Sequence, residues 1–298
     1  MFNKLIVALM PLAPRFIVKM VSKRYIAGED TDSAIATCLR LKDQGFLTTV
    51  DILGESVTSD QQAREARDSY LDLISEVAKN DIAKNISLKP TAMGLALSED
   101  IANNYIEAIV KKAHEAGIFI RIDMEDSPYT DKTLAMYDRL RGQYPQLGTV
   151  IQAYMHRSQT DVSRIAASSG NLRICKGIYK ESPNIAFQDS DEVRQNYLSL
   201  VKEMLQQGAY VGIATHDTFL IDESLKIIDK LNITPDKYEF QALLGVPILK
   251  RLDELVKLGH RVRIYVPFGS EWYAYSSRRL KENPDVAGYV LKNIFVRN

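Results

Sequence analysis

From Thr48 onward, short runs rich in β-branched and aromatic residues alternate with longer segments whose apolar residues recur at i, i+3 and i+4. The short runs begin near Thr48 (TVDIL), Ile86 (ISLK), Ile118 (IFIRID), Thr149 (TVIQAY), Leu172 (LRICK), Tyr210 (YVGIAT), Tyr238 (YEFQAL) and Val262 (VRIYV). The segments between them, such as YLDLISEVAKN, IANNYIEAIVKKAHEAG and VRQNYLSLVKEMLQQG, read as amphipathic helices. Gly117 and Gly208 stand just past two of these patterns, where a left-handed glycine ends a helix. Eight strand-then-helix units at a repeat of roughly 30 residues fit a closed (β/α)8 barrel of the TIM type better than an open doubly wound sheet. Neither G-x-G-x-x-G nor G-x-x-x-x-G-K-[ST] occurs, so the open alternative lacks its phosphate loop. Residues 1–45 read as an N-terminal helical extension and 46–298 as the barrel.

The stretch LIVALMPLAP after Lys4 is apolar, but Pro11 and Pro14 interrupt it and Arg15, Phe16 and Ile17 follow in place of a cleavage site. It is too short to span a bilayer, which takes about 20 apolar residues, and reads as a helix docked on the domain. The 38 basic and 38 acidic residues give zero net charge, which removes an electrostatic argument for nucleic acid or a membrane surface. Two widely separated cysteines, Cys38 and Cys175, argue against a disulfide scaffold and point to a reducing compartment.

A barrel of this class does its chemistry at the C-terminal ends of its strands. Those ends carry Glu55, Lys89, Asp123, Glu125, Gln152, Arg173, Lys176, Thr215, His216, Gln241 and Tyr265. Such a concentration of polar groups points to an enzyme. After the eighth strand, a helix read from about Glu271 puts Tyr275, Arg278, Arg279 and Glu282 on one face. On spacing alone that face is either a solvated one with an Arg278–Glu282 ion pair or a paired-arginine clamp for a carboxylate. Four scattered histidines with no HxH or HxxxH spacing offer no metal site; His114 and His260 read as surface residues and His156 as undecided. Cys175 reads as a small buried hydrophobe.

Together, RIYVPFGSEWYAYSSRRLKEN, SLKPT at Lys89, RIDMED at Asp123, IQAY at Gln152, LRICKGIY from Leu172 to Tyr179 and ATHD from Ala214 to Asp217 resemble the proline dehydrogenase family. The resemblance starts at DILGES, near Asp51, and covers the whole barrel. It implies a distorted (β/α)8 barrel that holds FAD, takes a hydride from C5 of L-proline and passes electrons to a quinone. Arg278, Arg279 and Lys89 would then bind the substrate carboxylate, and Tyr265, Tyr275 and Leu243 would wall the ring's pocket. Glu282 would hold one arginine, with Tyr179 also behind the site. Gln152, Arg173, Lys176 and Gly177, with the backbone of Met124 and Cys175, would surround the flavin ring. Thr215 and His216 would lie by its ribityl and phosphate portion.

Arg173 and Asp123 are the expected catalytic pair: a fixed cation near the flavin, and a carboxylate that tunes the cations around it. The proton acceptor for the proline amine stays open among Asp123, Tyr179 and water. A bulky Tyr275, where hydroxyproline-oxidising relatives carry a smaller residue, implies proline over 4-hydroxyproline. The expected setting is cytoplasmic with any membrane contact peripheral, and a separate pyrroline-5-carboxylate dehydrogenase is expected downstream because the chain leaves no room for one. Two rival readings are an aldolase-type barrel with Lys89 or Lys176 as the Schiff-base lysine, and a barrel that binds a ligand without catalysis.

Overall fold

The computed structural model describes residues 24–273 and 275–276. The apolar N-terminal stretch and Arg278, Arg279 and Glu282 lie outside the described residues. Eight parallel strands close into a barrel in chain order: β1 (Leu47–Ile52), β2 (Asn85–Leu88), β3 (Phe119–Ile122), β4 (Leu147–Gln152), β5 (Asn171–Cys175), β6 (Tyr210–Ala214), β7 (Tyr238–Leu243) and β8 (Val262–Phe268). Closure is made by β1 against β8, from Leu47 opposite Arg263 to Ile52 opposite Phe268. The expected strands are all present, with starts displaced by at most two residues; β4 begins at Leu147 because Leu147 and Gly148 already pair with β3.

Helix α1 (Thr31–Asp43) precedes the barrel, and α2 (Asp60–Lys79), α3 (Glu99–Glu115), α4 (Ser127–Arg141), α5 (Ser158–Ala167), α6 (Ser190–Gln206), α7 (Thr218–Lys230) and α8 (Leu249–Lys257) follow β1 to β7 in turn. Local chemistry fixes where they start. Ser59, Ser98, Asp189 and Asp217 accept hydrogen bonds from first-turn amides of α2, α3, α6 and α7, each cap worth about 1 kcal/mol. Gly117 and Gly208 sit at φ +68° and +69° beyond α3 and α6, the left-handed positions their sequence context calls for. Helix α2 buries Tyr70, Leu73, Ile74 and Val77, one stripe at helical spacing, against the barrel. Each such side chain contributes about 1.5–3 kcal/mol on burial.

Strand parity then sorts the barrel into two media. Val50, Ile86, Leu88, Ile120, Ile122, Leu172, Ile174, Val211, Ile213, Phe240, Val262 and Ile264 are buried in the hydrophobic core. The alternate positions are polar: Asp51, Ser87, Asp123, Arg173, Glu239, Gln241, Arg263 and Tyr265 are linked inside the barrel by the contacts described below, and Thr49 and Arg121 bond to Asn85 and Asn171. Two glycines make room for this filling. A Cβ on Gly148 of β4 would stand 2.5 Å from Arg121 Nη1, and one on Gly212 of β6 would stand 2.5 Å from Gln241 Nε2.

Candidate active site

At the C-terminal mouth, Lys89 leaves β2 and its Nζ donates to Asp51 Oδ2 of β1 at 2.8 Å and to the Tyr265 hydroxyl of β8 at 3.4 Å. Asp51 is fully buried and its other oxygen faces the Tyr70 hydroxyl at 3.3 Å. Burial alone would pull the Lys89 ammonium down, but Asp51 and Asp123 outweigh it and hold the group well above the usual lysine range. Lys89 is therefore a fixed cation.

Arg173, near the end of β5, is the hub. Its Nη1 donates to Asp123 Oδ1 at 2.8 Å, its Nη2 to Ser87 Oγ at 3.1 Å and its Nε to Gln241 Oε1 at 2.7 Å. All three directions of the guanidinium fork are thus fixed. Asp123 in turn accepts from Ser87 at 3.2 Å and from the Tyr265 hydroxyl at 3.1 Å. The Arg173 guanidinium lies 5.2 Å from the centre of the Tyr265 ring, and Lys89 Nζ 6.0 Å from it. Burial first, then Asp123 and Asp51, push the Tyr265 phenol well above its usual range, so it stays protonated and donates.

Glu125, two residues past Asp123, accepts from the Thr91 amide at 2.8 Å and the Thr91 hydroxyl at 2.6 Å. Burial pushes its carboxyl up to about 7, against the pull of these bonds and of Lys89. Gln152 donates to the Glu125 carbonyl at 2.8 Å, while its own buried Oε1 has no partner among the described residues.

The rim beyond β5 and β6 carries an ion-pair network. Asp217, which caps α7, takes Lys176 at 3.1 Å and Arg194 at 2.9 Å on one oxygen. Burial would raise Asp217, but the two cations lower it overall. Thr215 is buried and accepts from the Asp217 amide at 3.1 Å. His216 Nε2 accepts from the Leu243 amide at 3.1 Å, so that nitrogen is unprotonated, and the contact ties β6 to the end of β7. Gly177 sits at φ +111°, close beside the Tyr154 ring. From there the backbone lies across the end of β4: the Tyr154 amide donates to Lys176 O, and the Phe187 amide to Tyr154 O.

Of the residues expected from sequence, the structure brings Lys89, Asp123, Arg173 and Tyr265 into one hydrogen-bonded cluster. Gln152 belongs to a separate network at the same mouth, with Glu125 and Thr91. Met124, Tyr275, Thr215 and Gln152 are buried, Leu243, Cys175 and Tyr179 partly so. Burial pushes the Cys175 thiol up to about 11, in keeping with an unreactive residue. His156 turns outward, against Pro183 O and the Phe187 ring, so its undecided status resolves to a surface role. Residues missed include Asp51, signalled by a lone carboxylate inside the apolar run TVDIL, and Ser87 and Thr91, neither of which stands out as a single residue within SLKPT.

The family model described as proline dehydrogenase matches residues 34–292. The chain belongs to the proline dehydrogenase family. It is 36% identical over 282 residues to Proline dehydrogenase 1 of Bacillus subtilis, covering 95% of this chain and 93% of that protein. Proline dehydrogenase of Deinococcus radiodurans is 35% identical, with 92% and 90% covered. Among solved structures, proline utilization A of Bdellovibrio bacteriovorus, inactivated by N-propargylglycine, superposes with a TM-score of 0.83 at 25% identity. That match covers 89% of this chain and 33% of the solved one, so this chain spans about a third of that length. The closed eight-stranded barrel expected from sequence is thus the fold found. Among the described residues no helix is long and apolar enough to cross a membrane, and no group of three or more His, Cys, Asp or Glu could hold a metal ion.

Proposed function

We propose that this chain oxidises L-proline to Δ1-pyrroline-5-carboxylate, with FAD as the bound oxidant and a quinone as the final acceptor. The observation that carries the reading is the Lys89–Asp51 and Arg173–Asp123–Tyr265 cluster at the mouth where barrels of this kind do chemistry. Membership of the family supplies the substrate class.

Three features fit a flavin. Gln152 Oε1 is a buried acceptor lacking a donor, which an N–H of the isoalloxazine would supply. Arg173 is a cation held on three sides, suited to stabilise negative charge on a reduced ring. Lys176 and Arg194, held at the rim by Asp217 and Asp191, present ammonium and guanidinium donors that phosphates could take up. Met124, Gly177 and Cys175, with Thr215 and His216, would complete that lining. Bound FAD supplies the hydride acceptor for C5 and the route of the electron pair to the quinone.

The chain's own groups do the rest. Lys89, with Arg278 and Arg279, binds the proline carboxylate, and its neighbours Asp51 and Asp123 keep it charged. Tyr265, Tyr275 and Leu243 bound the ring with Tyr179 behind them, and Glu282 would hold one of the two arginines. Asp123 has its oxygens committed to Arg173, Ser87 and Tyr265. It therefore acts by fixing the cations and not by taking the amine proton. The charge state of Lys89 weighs against that residue as a Schiff-base lysine, which must be neutral to attack, whereas Lys89 is held protonated.

The test is the absorption spectrum of the purified protein. Anaerobic proline should bleach its flavin bands, and Arg278→Ala or Arg279→Ala should abolish bleaching at proline concentrations that saturate the wild type. A protein that releases no FAD on denaturation, or flavin bands unmoved by proline, overturns the reading.

A further inference from the structure

The opposite, N-terminal mouth of the barrel holds a cavity of about 340 Å³ that proline oxidation does not use. It is formed where strands begin, at Leu47, Asn85, Phe119, Asn171 and Tyr210, and by Lys84, Arg121, Glu239, Arg261 and Arg263. Four cations thus face one carboxylate.

That carboxylate is already committed. Glu239 takes Arg263 in a two-pronged pair at 2.7 and 2.9 Å, and Gln241 donates to it at 2.6 Å. Burial would raise it, yet Arg263 holds it down at about 2, so it is a permanent anion serving Arg263. Lys84 caps the end of α2, its Nζ donating to the carbonyls of Val77, Ala78 and Asn80. Its Nζ meets peptide carbonyls there and, among the described residues, makes no ion pair.

Arg121 is the unusual group. It is 1% exposed, and its guanidinium bonds to Thr149 O and Asn171 O at 3.0 Å and to Asn171 Oδ1 at 2.7 Å. No carboxylate stands within ion-pair distance of it among the described residues, and its Nε has no hydrogen-bond partner there. Phe119 lies 4.9 Å from the guanidinium, and Gly148 leaves the space it fills. Burial first, then the repulsion of Arg173, pulls it down to about 9, still charged at neutral pH. Arg261 rests over the Tyr210 ring at 5.7 Å and, among the described residues, makes no ion pair.

A buried cation without a counter-charge costs several kcal/mol, and a low-dielectric recess focuses the field of several such cations on one volume. Guanidinium groups also match the oxygen spacing of carboxylate and phosphate. We propose that this N-terminal cavity binds a small dianion of the phosphate or dicarboxylate class, with Arg261 and Arg121 as its principal counter-charges. The site is separate from the proline site, which lies at the other end of the strands.

The experiment uses the purified flavin-loaded enzyme at low ionic strength. Its melting temperature is followed with inorganic phosphate, with succinate, and with chloride at matched ionic strength. The dianions should raise it saturably and chloride should not; whichever of the two saturates at lower concentration identifies the preferred geometry. Arg261→Gln should raise the half-saturating concentration about tenfold, the worth of one charge-assisted hydrogen bond. Its melting temperature in chloride and its proline turnover should match the wild type. A dianion response no larger than that of chloride overturns the proposal. So does an unchanged half-saturation in Arg261→Gln, or binding that competes with proline, since the ligand would then sit at the substrate site.

Discussion

At the C-terminal mouth each of the two central cations stands against a carboxylate: Lys89 against Asp51 and Arg173 against Asp123, both at 2.8 Å. At the N-terminal mouth, among the described residues, Arg263 alone is so matched, by Glu239, while Arg121 meets carbonyl oxygens and Arg261 an aromatic ring. The two ends are joined inside the barrel: Arg173 donates to Gln241, Gln241 to Glu239, and Arg263 to the same Glu239 oxygen. One polar column therefore runs along the axis; among the described residues its cations are paired with carboxylates at the catalytic end and mostly unpaired at the other. The difference shows what each end is built to receive. Lys89 and Arg173 are fixed by their own carboxylates before any substrate arrives; unpaired cations at the other mouth suit a ligand that brings the negative charge itself.

The largest expected consequence is an asymmetry in what removing a cation does. Lys89→Met leaves Asp51 buried and unpaired, and breaking a buried pair in this way costs about 3–5 kcal/mol. Arg121→Met leaves carbonyls short of donors but strands no charge, and should cost about 1–3 kcal/mol. Urea midpoints of the two variants measure this directly. Equal losses would mean that Arg121 has a carboxylate partner and that the two mouths do not differ. Lys89→Met should also lose most proline turnover, whereas Arg121→Met should keep it.

Much of this architecture is legible in the chain. The eight β-then-α units follow from periodicity, because outward-facing strand residues must be apolar to pack under helices. The strand-end polar residues follow from the barrel's polarity of function. The polar column does not follow, for a physical reason. Asp123 beside Arg173 is expected from the strand ends, but Gln241, Glu239 and Arg263 lie on β7 and β8, so their link to Arg173 exists only once the barrel closes and register is set. The runs YEFQAL and VRIYV read locally as ordinary strands, with Glu239 and Arg263 as polar members of an alternation. A single sequence does not say that the polar face is the inside of the barrel. Asp51 within TVDIL carried the clearest overlooked signal, since a carboxylate at the centre of a buried strand demands a cation. The Arg278–Arg279 pair, the most specific motif in the sequence, lies outside the described residues and is tested through the flavin spectrum.

A carboxylate without a cation also exists at the catalytic end, and it gives the next largest effect. Glu125 is satisfied by Thr91 and pushed up to about 7 by burial. A carboxyl whose folded value lies above its unfolded one favours the folded state while protonated. That contribution is full below about 4.5 and lost as pH rises through about 7. Stability should therefore fall by on the order of 3 kcal/mol between pH 4.5 and pH 8 from this group alone. Glu125→Gln should flatten that part of the profile, read from urea midpoints across the window. An unchanged slope in the variant would assign the pH dependence to other groups and leave Glu125 as an ordinary ionised carboxylate.

The smallest effect separates the ends by their glycines. A Cβ at Gly148 would meet Arg121 Nη1 at 2.5 Å, Phe119 Cζ at 2.7 Å and the Asn171 carbonyl at 2.8 Å. Because the last of these is backbone, Gly148→Ala should cost about 1–3 kcal/mol through overpacking, with Arg121 displaced. A Cβ at Gly212 would meet the amide group of Gln241, the flexible end of a side chain, at 2.5 Å, so Gly212→Ala should cost less. Gln241 orients Arg173, however, so Gly212→Ala should slow proline turnover while Gly148→Ala leaves it near the wild-type rate. The pair of variants thus reads the two ends of one column by two different measurements. If both slowed turnover equally, the column would transmit strain along its whole length, and the catalytic end would not be independent of the cation-rich one.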